Sequence, residues 1–363
     1  FVFRMDPRDW DAVIRNNLHG TFLMMREAYN QWMKDHGGSI VNMTADMWGG
    51  MPNMGMGPLT GTAQMNMFDR LQRFTNIQKA PEIKFKDLDA VVNSTIKYNL
   101  LPMQVRTDFI PVTESSVLAS ITIQFNREDL QFRQKEGVAE ALVNLRASIQ
   151  TMTRRPVGRP IEQTVEVRGP AEQLAALSTG QAVYNTTVSL LPGRYKLSVA
   201  AKDVVGENMS SYDIALDVPE FNEDRLSASS LILADQLEKV PTRSIGSGMF
   251  VIGSSKVRPR MNETFKQSET LGIYMQVYNF EPSEDTHKPE GTVTYQIIRN
   301  GTGEKVLEFT EDVAGLTGGA SQMVIEKRLK LEGFQPGEYT VQIKVIDKLR
   351  EETLTPSAKF KVI

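Results

Sequence analysis

A thirteen-residue pattern occurs twice in this chain, its two copies sharing Pro-Gly, a tyrosine and a closing aspartate. Leu191-Pro192-Gly193-Arg194-Tyr195-Lys196-Leu197-Ser198-Val199-Ala200-Ala201-Lys202-Asp203 reappears 144 positions later as Gln335-Pro336-Gly337-Glu338-Tyr339-Thr340-Val341-Gln342-Ile343-Lys344-Val345-Ile346-Asp347. In each copy Pro-Gly supplies a tight turn. Every second residue after it is then apolar: Tyr195, Leu197, Val199 and Ala201 in the first, Tyr339, Val341, Ile343 and Val345 in the second. That alternation specifies a strand with one buried face. An offset of one domain plus a linker makes the strand part of a duplicated β unit. A tyrosine at each strand start suits a phenol packed inward at a sandwich corner, with its hydroxyl on the backbone. The structural residues of this reading are Pro192, Gly193, Tyr195 and Asp203, with Pro336, Gly337, Tyr339 and Asp347. Asp203 and Asp347 close equivalent strands, where a carboxylate either caps a turn or serves as a calcium ligand; turn capping is adopted and no metal site is expected.

The surrounding sequence carries the same texture. Short runs rich in Val, Ile, Thr and Tyr recur at 91–98, 105–112, 117–125, 138–152, 163–167, 183–190, 195–201 and 214–218. After Pro241 they recur at 250–252, 273–278, 293–298, 305–311, 322–329, 339–346 and 359–362. Asn300-Gly301 between two of these predicts a two-residue hairpin turn. Phe221-Asn222-Glu223-Asp224 leading into Leu231-Ile232-Leu233-Ala234-Asp235 reads as a linker whose apolar run buries between the domains. Arg154, Arg155 and Arg159 read as a solvated loop. The expected fold class is mainly β: two Ig-like or fibronectin-like β-sandwiches preceded by a short α/β helix-strand fragment. The expected segments are 1–57 (helix-strand fragment), 58–85 (connector with a short helix near 68–77), 86–220 (first sandwich), 221–245 (linker) and 246–363 (second sandwich).

The first 57 residues differ in kind. All three tryptophans and 11 of the 18 methionines fall at or before Met67. Asp6-Pro7 starts a helix, and Trp10, Val13, Ile14, Leu18, Phe22, Met25, Tyr29 and Met33 follow the 3.6-residue period. His36-Gly37-Gly38 ends it, and Ser39-Ile40-Val41-Asn42-Met43 reads as a buried strand. The blocks Trp10-Asp11-Ala12-Val13-Ile14, Asn17-Leu18-His19-Gly20-Thr21-Phe22 and Gly38-Ser39-Ile40-Val41-Asn42 resemble the middle of a short-chain dehydrogenase/reductase, with Gly49-Gly50-Met51-Pro52 closest to its enoyl reductase or citronellol dehydrogenase-like branch. The resemblance implies a proton-relay role for Asn17, here a vestigial candidate. The family's substrate-holding serine falls on Ala45. The family also needs a Tyr followed four residues later by Lys, the Lys lowering the phenol's pKa. None of the nine tyrosines has one. No catalytic residue and no cofactor are therefore expected.

Charge and composition exclude further classes. With 41 Lys plus Arg against 44 Asp plus Glu, the net charge is −3, so nucleic acid is not an expected partner. Without cysteine there are no disulfides, thiolates or sulfur-ligated metals, and three scattered histidines make no cluster. No apolar run is long enough for a transmembrane segment. The chain opens at Phe1 without an initiator Met and reads as an internal fragment, with the compartment unspecified.

From about Pro58 onward a second resemblance runs through several blocks in order. They are Phe74-Thr75-Asn76-Ile77-Gln78, Lys84-Phe85-Lys86-Asp87-Leu88, Tyr98-Asn99-Leu100-Leu101-Pro102, Val105-Arg106-Thr107-Asp108-Phe109, Leu226-Ser227-Ala228-Ser229-Ser230, Phe250-Val251-Ile252-Gly253 and Lys256-Val257-Arg258-Pro259. They are similar to the region following the signature domain of GWxTD-domain proteins of the acidobacterial type; the GWxTD motif itself does not occur in this sequence. That resemblance implies export or a periplasmic location for 58–363, as the dehydrogenase-like segment implies a cytoplasmic one, and it assigns no activity. The expected function is a non-catalytic binding or scaffolding module with a protein partner. The alternatives are part of an NAD(P)-dependent oxidoreductase, or a carbohydrate-binding module marked by an exposed aromatic row.

Overall fold

The computed structural model describes residues 84–363 apart from 95–96, 243–244 and 246–247, together with Arg26, Glu27 and Asn30. The dehydrogenase-like helix and strand, Asn17 and the connector helix near 68–77 lie outside the described residues. The described part is mainly β, built of sheets in two packed pairs whose strands run antiparallel except where Thr264–Phe265 pairs in parallel with Lys361–Val362.

The first pair begins with β1 (Met103–Thr113), β2 (Ser116–Asn126) and, later in the chain, β6 (Gln181–Leu190), which form one sheet. Facing it are β3 (Arg133–Lys135), β4 (Val138–Thr151), β7 (Gly193–Asp203) and β8 (Met209–Val218), with the long edge strand β5 (Pro156–Pro170) on β4. Alternate residues of each strand turn inward. Val117, Ala119, Ile121, Ile123 and Phe125 of β2 meet Ala141, Val143, Leu145, Ala147 and Ile149 of β4 and Leu197, Val199 and Ala201 of β7.

The second pair follows the same logic. One sheet runs β11 (Val251–Ile252), β12 (Ser255–Pro259), β10 (Ile232–Lys239), β14 (Thr270–Tyr278), β18 (Gln322–Lys330), β17 (Thr317–Gly319), with β9 (Ser227–Ala228) on β14. The other runs β13 (Thr264–Phe265), β21 (Ser357–Val362), β19 (Gly337–Asp347), β15 (Gly291–Arg299), β16 (Lys305–Asp312), with β20 (Glu352–Leu354) on β19. Its core joins Leu271, Ile273, Met275 and Val277 of β14 to Val293, Tyr295 and Ile297 of β15 and to β19. The two repeat copies, β7 and β19, hold equivalent places. Each is the central strand between an earlier long strand (β4, β15) and the next one in its sheet (β8, β21).

Three local expectations are corrected. Residues 91–93 are not strand but the end of a helix, α1 (Lys86–Asn93). Leu88, Val91 and Val92 recur at helical spacing, and burying that face on Ala200 outweighs the β propensity of the two valines. The apolar run placed in the 221–245 linker leads into strand β10: Leu231, just before it, and Leu233 enter the second core while Ile232 and Ala234 pack on the opposite face. The Asn300-Gly301 turn is longer than two residues: the Arg299 N–H donates to the Glu304 carbonyl, and the positive φ of 70° falls on Gly303. A four-residue loop needs its left-handed residue at its end rather than in the centre.

Helix α1 is fastened by a buried arginine. Arg146, on the outer face of β4, donates to Glu162 at 2.5 Å and to Asp89 of the helix. Glu162 also accepts from the N–H groups of Lys84 (3.0 Å) and Phe85 (3.2 Å) at the helix entry. Partial burial pushes the Glu162 carboxyl up, but those two N–H groups and the Arg146 guanidinium outweigh it and hold it below its ordinary value. A depressed carboxylate stabilises the fold above its unfolded pKa and loses that contribution as the pH falls through the folded one. Acid should therefore loosen α1 first. Amide exchange over 86–93 is expected to accelerate as the pH falls below the ordinary glutamate range, relative to β4 amides in the same sample. Glu162→Gln should show this acceleration already at neutral pH; equal protection of parent and variant would remove Glu162 from the account.

Candidate functional site

The eight residues singled out by the repeat form two matching corners. Tyr195 Oη donates to the Leu191 carbonyl at 3.0 Å, and Tyr339 Oη to the Gln335 carbonyl at 2.6 Å, each four residues back across its Pro-Gly turn. At Gly193, φ is +142°, a conformation L side chains rarely adopt, and the Tyr195 ring lies 3.9 Å from where a Cβ would be. Pro192 and Pro336 precede these glycines in the two turns. Tyr339 is the more deeply packed. It stacks on Phe360 (5.4 Å, 24°) and meets Phe334 edge-on (5.4 Å, 72°), and only 1% of it is exposed.

At the far ends of the same strands, the two aspartates staple loops. Asp203 Oδ2 accepts from the Gln131 N–H (2.8 Å) and Oδ1 from that of Val205 (3.0 Å). Asp347 Oδ2 accepts from Glu281 N–H (2.8 Å), and Oδ1 from Leu349 and Arg350 N–H (3.0 and 3.1 Å). Both are fully buried. Each carboxylate thus has both oxygens on backbone donors, joining its own turn to a loop some 70 residues away in sequence, a geometry suited to loop closure rather than to cation coordination. Among the described residues no group of three or more His, Asp or Glu side chains converges as a metal site would require. The distant partners Gln131 and Glu281 carry no sequence signal, because only their backbone takes part.

The two sandwiches meet at a junction that the sequence did not disclose. The Phe109 N–H of β1 donates to Ser230 Oγ, and the Ser230 N–H returns a bond to the Phe109 carbonyl, both at 2.8 Å. Asn185 of β6 is buried on the outer face of its sheet. Its Nδ2 donates to Ser120 Oγ (3.0 Å) and Thr122 Oγ1 (3.1 Å), while its Oδ1 accepts from the Phe250 N–H of the second sandwich (3.1 Å). Arg106, held by both oxygens of buried Asp108, reaches Glu263 at 3.4 Å. The Phe250 N–H and the buried Asn185 Oδ1 find each other only across the junction, as do the part-buried Phe109 and Ser230 groups, and such pairs fix its register because separation would leave them unpaired.

A polar row crosses the outer face of β14. Gln276 Nε2 donates to Tyr274 Oη at 2.6 Å, and Gln276 Oε1 accepts from Tyr278 Oη and, at 3.0 Å, from Gln322 Nε2. Burial raises both phenols well above their ordinary values, and Glu326 pushes Tyr274 further in the same direction, so the row is uncharged at any physiological pH. Beside it, Lys239 donates to Glu326 (2.6 Å) and to Ser255 Oγ (3.2 Å), and Ser255 donates to Glu326. A serine beside a lysine suggests a nucleophile, but here Lys239 pairs with Glu326 and donates to the Ser255 hydroxyl, which in turn donates to Glu326, so Lys239 does not stand as a base that accepts the serine proton. Exposed aromatic rings among the described residues, Tyr98, Tyr212 and Phe309, do not form a row: Phe309 is in the second sandwich, and the Asn99–Ser210 bridge puts Tyr98 and Tyr212 on opposite faces.

No helix among the described residues is long and apolar enough to cross a membrane. Among solved structures, the chain is similar to a family 123 glycoside hydrolase from Clostridium perfringens at 12% identity, over 38% of this chain and 27% of that one, with a TM-score of 0.21. It is also similar to the BSP domain of a biofilm-associated protein at 10% identity, over 74% and 61%, with a TM-score of 0.22. The chain therefore spans less than two thirds of either, and likenesses this shallow bear on neither fold nor activity. Residues 2–60 match the short chain dehydrogenase family, which supports the resemblance of that segment while leaving the two sandwiches outside it.

Proposed function

We propose that the two sandwiches form a non-catalytic binding or scaffolding module that presents its surfaces at a fixed spacing to a protein partner. The observation that carries this reading is the junction of Phe109 with Ser230 and of Asn185 with Phe250, which makes two cores one platform instead of two beads on a linker. The buried polar groups point the same way: the carboxylates of Asp203 and Asp347 and the hydroxyl of Ser255 are engaged with internal partners rather than turned toward a reacting molecule. The resemblance to the region that follows the signature domain of GWxTD-domain proteins supports a place in an exported or envelope assembly.

A second reading is favoured by the family match at 2–60: part of an NAD(P)-dependent short-chain oxidoreductase. Calorimetry with NADH and NADPH separates the two. The one helix and one strand that the sequence of residues 1–57 leads one to expect would offer no pyrophosphate site, so affinity no better than millimolar, on the order of −4 kcal/mol, is expected. Micromolar binding of either nucleotide would overturn the scaffold reading in favour of the oxidoreductase.

A further inference from the structure

The strands β11 and β17 are the two ends of one sheet, yet both line a single open pocket of about 250 Å³ on its outer face. The floor is β14, through Tyr274 and Gln276, and β18, through Gln322 and Val324; the walls are Ser254 on one side and Thr317-Gly318 on the other. Gly318 is required where it stands: at a φ of +128°, a Cβ would lie 2.2 Å from the Gln322 carbonyl oxygen, so β17 could not approach β18 this closely with any side chain there.

None of the ten lining residues carries a charge: they are Gln, Ser, Thr, Tyr, Gly, Ile and Val. Their hydrogen-bonding capacity is only partly used internally. Tyr274 Oη accepts from Gln276, which leaves its own O–H to donate, and Gln276 has a second N–H beyond the one given to Tyr274. Gln322 gives its N–H to Gln276 and keeps its carbonyl oxygen, while the Ser254 and Thr317 hydroxyls have no partner among the described residues. The pocket thus holds several neutral donors and acceptors fixed by a preformed network, over an apolar patch made by Ile252 and Val324. The nearest charges, Lys239 and Glu326 beside Ser255, are paired with each other, so an ion would find no unpaired countercharge in the lining, and an apolar ligand would leave these groups unpaired.

We propose that this pocket binds a neutral, hydroxyl-rich ligand of the size of one sugar ring, with the Tyr274, Gln276 and Gln322 polar atoms bonding its hydroxyls and Ile252 and Val324 facing its C–H surface. At a water's share of about 30 Å³, the volume corresponds to roughly eight waters, enough for a single ring and not for an extended chain. The inference uses second-sandwich residues alone, so its failure would leave the junction and the scaffold reading as they stand.

The test is saturation-transfer NMR on the full chain, with glucose and N-acetylglucosamine as probes. Saturable transfer with a millimolar dissociation constant is expected for at least one of them. Thr317→Trp fills the mouth from an exposed position of an edge strand, and Gln322→Ala removes one floor amide. Each should weaken transfer roughly tenfold or more with far-UV circular dichroism and thermal midpoint unchanged. Inorganic phosphate at equal concentration should not compete. The proposal is overturned if neither sugar gives saturable transfer, if transfer survives both substitutions undiminished, or if phosphate displaces the sugar.

Discussion

Tyr339→Ala is expected to destabilise the second sandwich by about 3–5 kcal/mol, whereas Tyr339→Phe should cost about 1 kcal/mol. The ring is packed between Phe334 and Phe360 in the second core and is 1% exposed, so its removal takes away a large buried apolar surface. The hydroxyl bond to Gln335 is a separate, smaller contribution that the phenylalanine variant isolates. Tyr195 has the same bond at greater length and is 9% exposed, so Tyr195→Ala should lie toward the lower end of the range. Amide exchange locates the damage. Protection over Val293–Ile297 and Tyr339–Val345 should fall about 10²–10³-fold, and over Ala141–Ala147 and Leu197–Ala201 less than about tenfold, because the cores share a junction but no apolar contacts in common. An equal fall in both would mean that the junction makes them a single cooperative unit. Unfolding of both alanine variants at the parent's urea midpoint would show that the tyrosines do not hold the corners.

Asp347→Ala should cost about 3 kcal/mol by urea denaturation. It removes three charge-assisted bonds, and the Glu281 N–H is left without an acceptor in a half-buried loop while those of Leu349 and Arg350 turn to water. Asp347→Asn keeps the shape but turns one acceptor into a donor, so it should recover only part of the loss. The loop at 279–281 is further held by Arg350, which donates to the Asn279 carbonyl and pairs with Glu281 at 2.8 Å, so released loops rather than a collapsed core are the expected outcome. Addition of calcium should not restore the alanine variant. Restoration by calcium, or a parent-like midpoint, would contradict a purely stapling role.

The corners were legible because their chemistry is local. A Pro-Gly turn, a tyrosine two residues on and alternating apolar positions all lie within thirteen residues, and the phenol bonds a carbonyl only four residues back. Residues 91–93 fit a strand by sequence because two adjacent valines suit either period, and what makes them the end of α1 is a distant partner, Ala200 with Arg146 beside it. Strand β10 resembles a linker in sequence for a related reason. Its run of apolar residues lacks alternation because both of its faces are covered, one by the second core and the other by Val257 and Tyr274.

By itself, the sequence determined the β class, the duplication and the corner residues, and it determined that the first 57 residues differ in kind from the remainder. Those properties follow from periodicity and turn chemistry, which act over a few neighbouring residues. Only the tertiary structure decided the partners of Asp203 and Asp347, the docking of Phe250 on Asn185, and the neutral pocket between the ends of one sheet. Each of these joins groups far apart in the chain, several through backbone atoms that every residue type possesses. No spacing or composition can mark such partners, because what selects them is the closure of a buried polar group on whatever donor the packed sheets bring within reach.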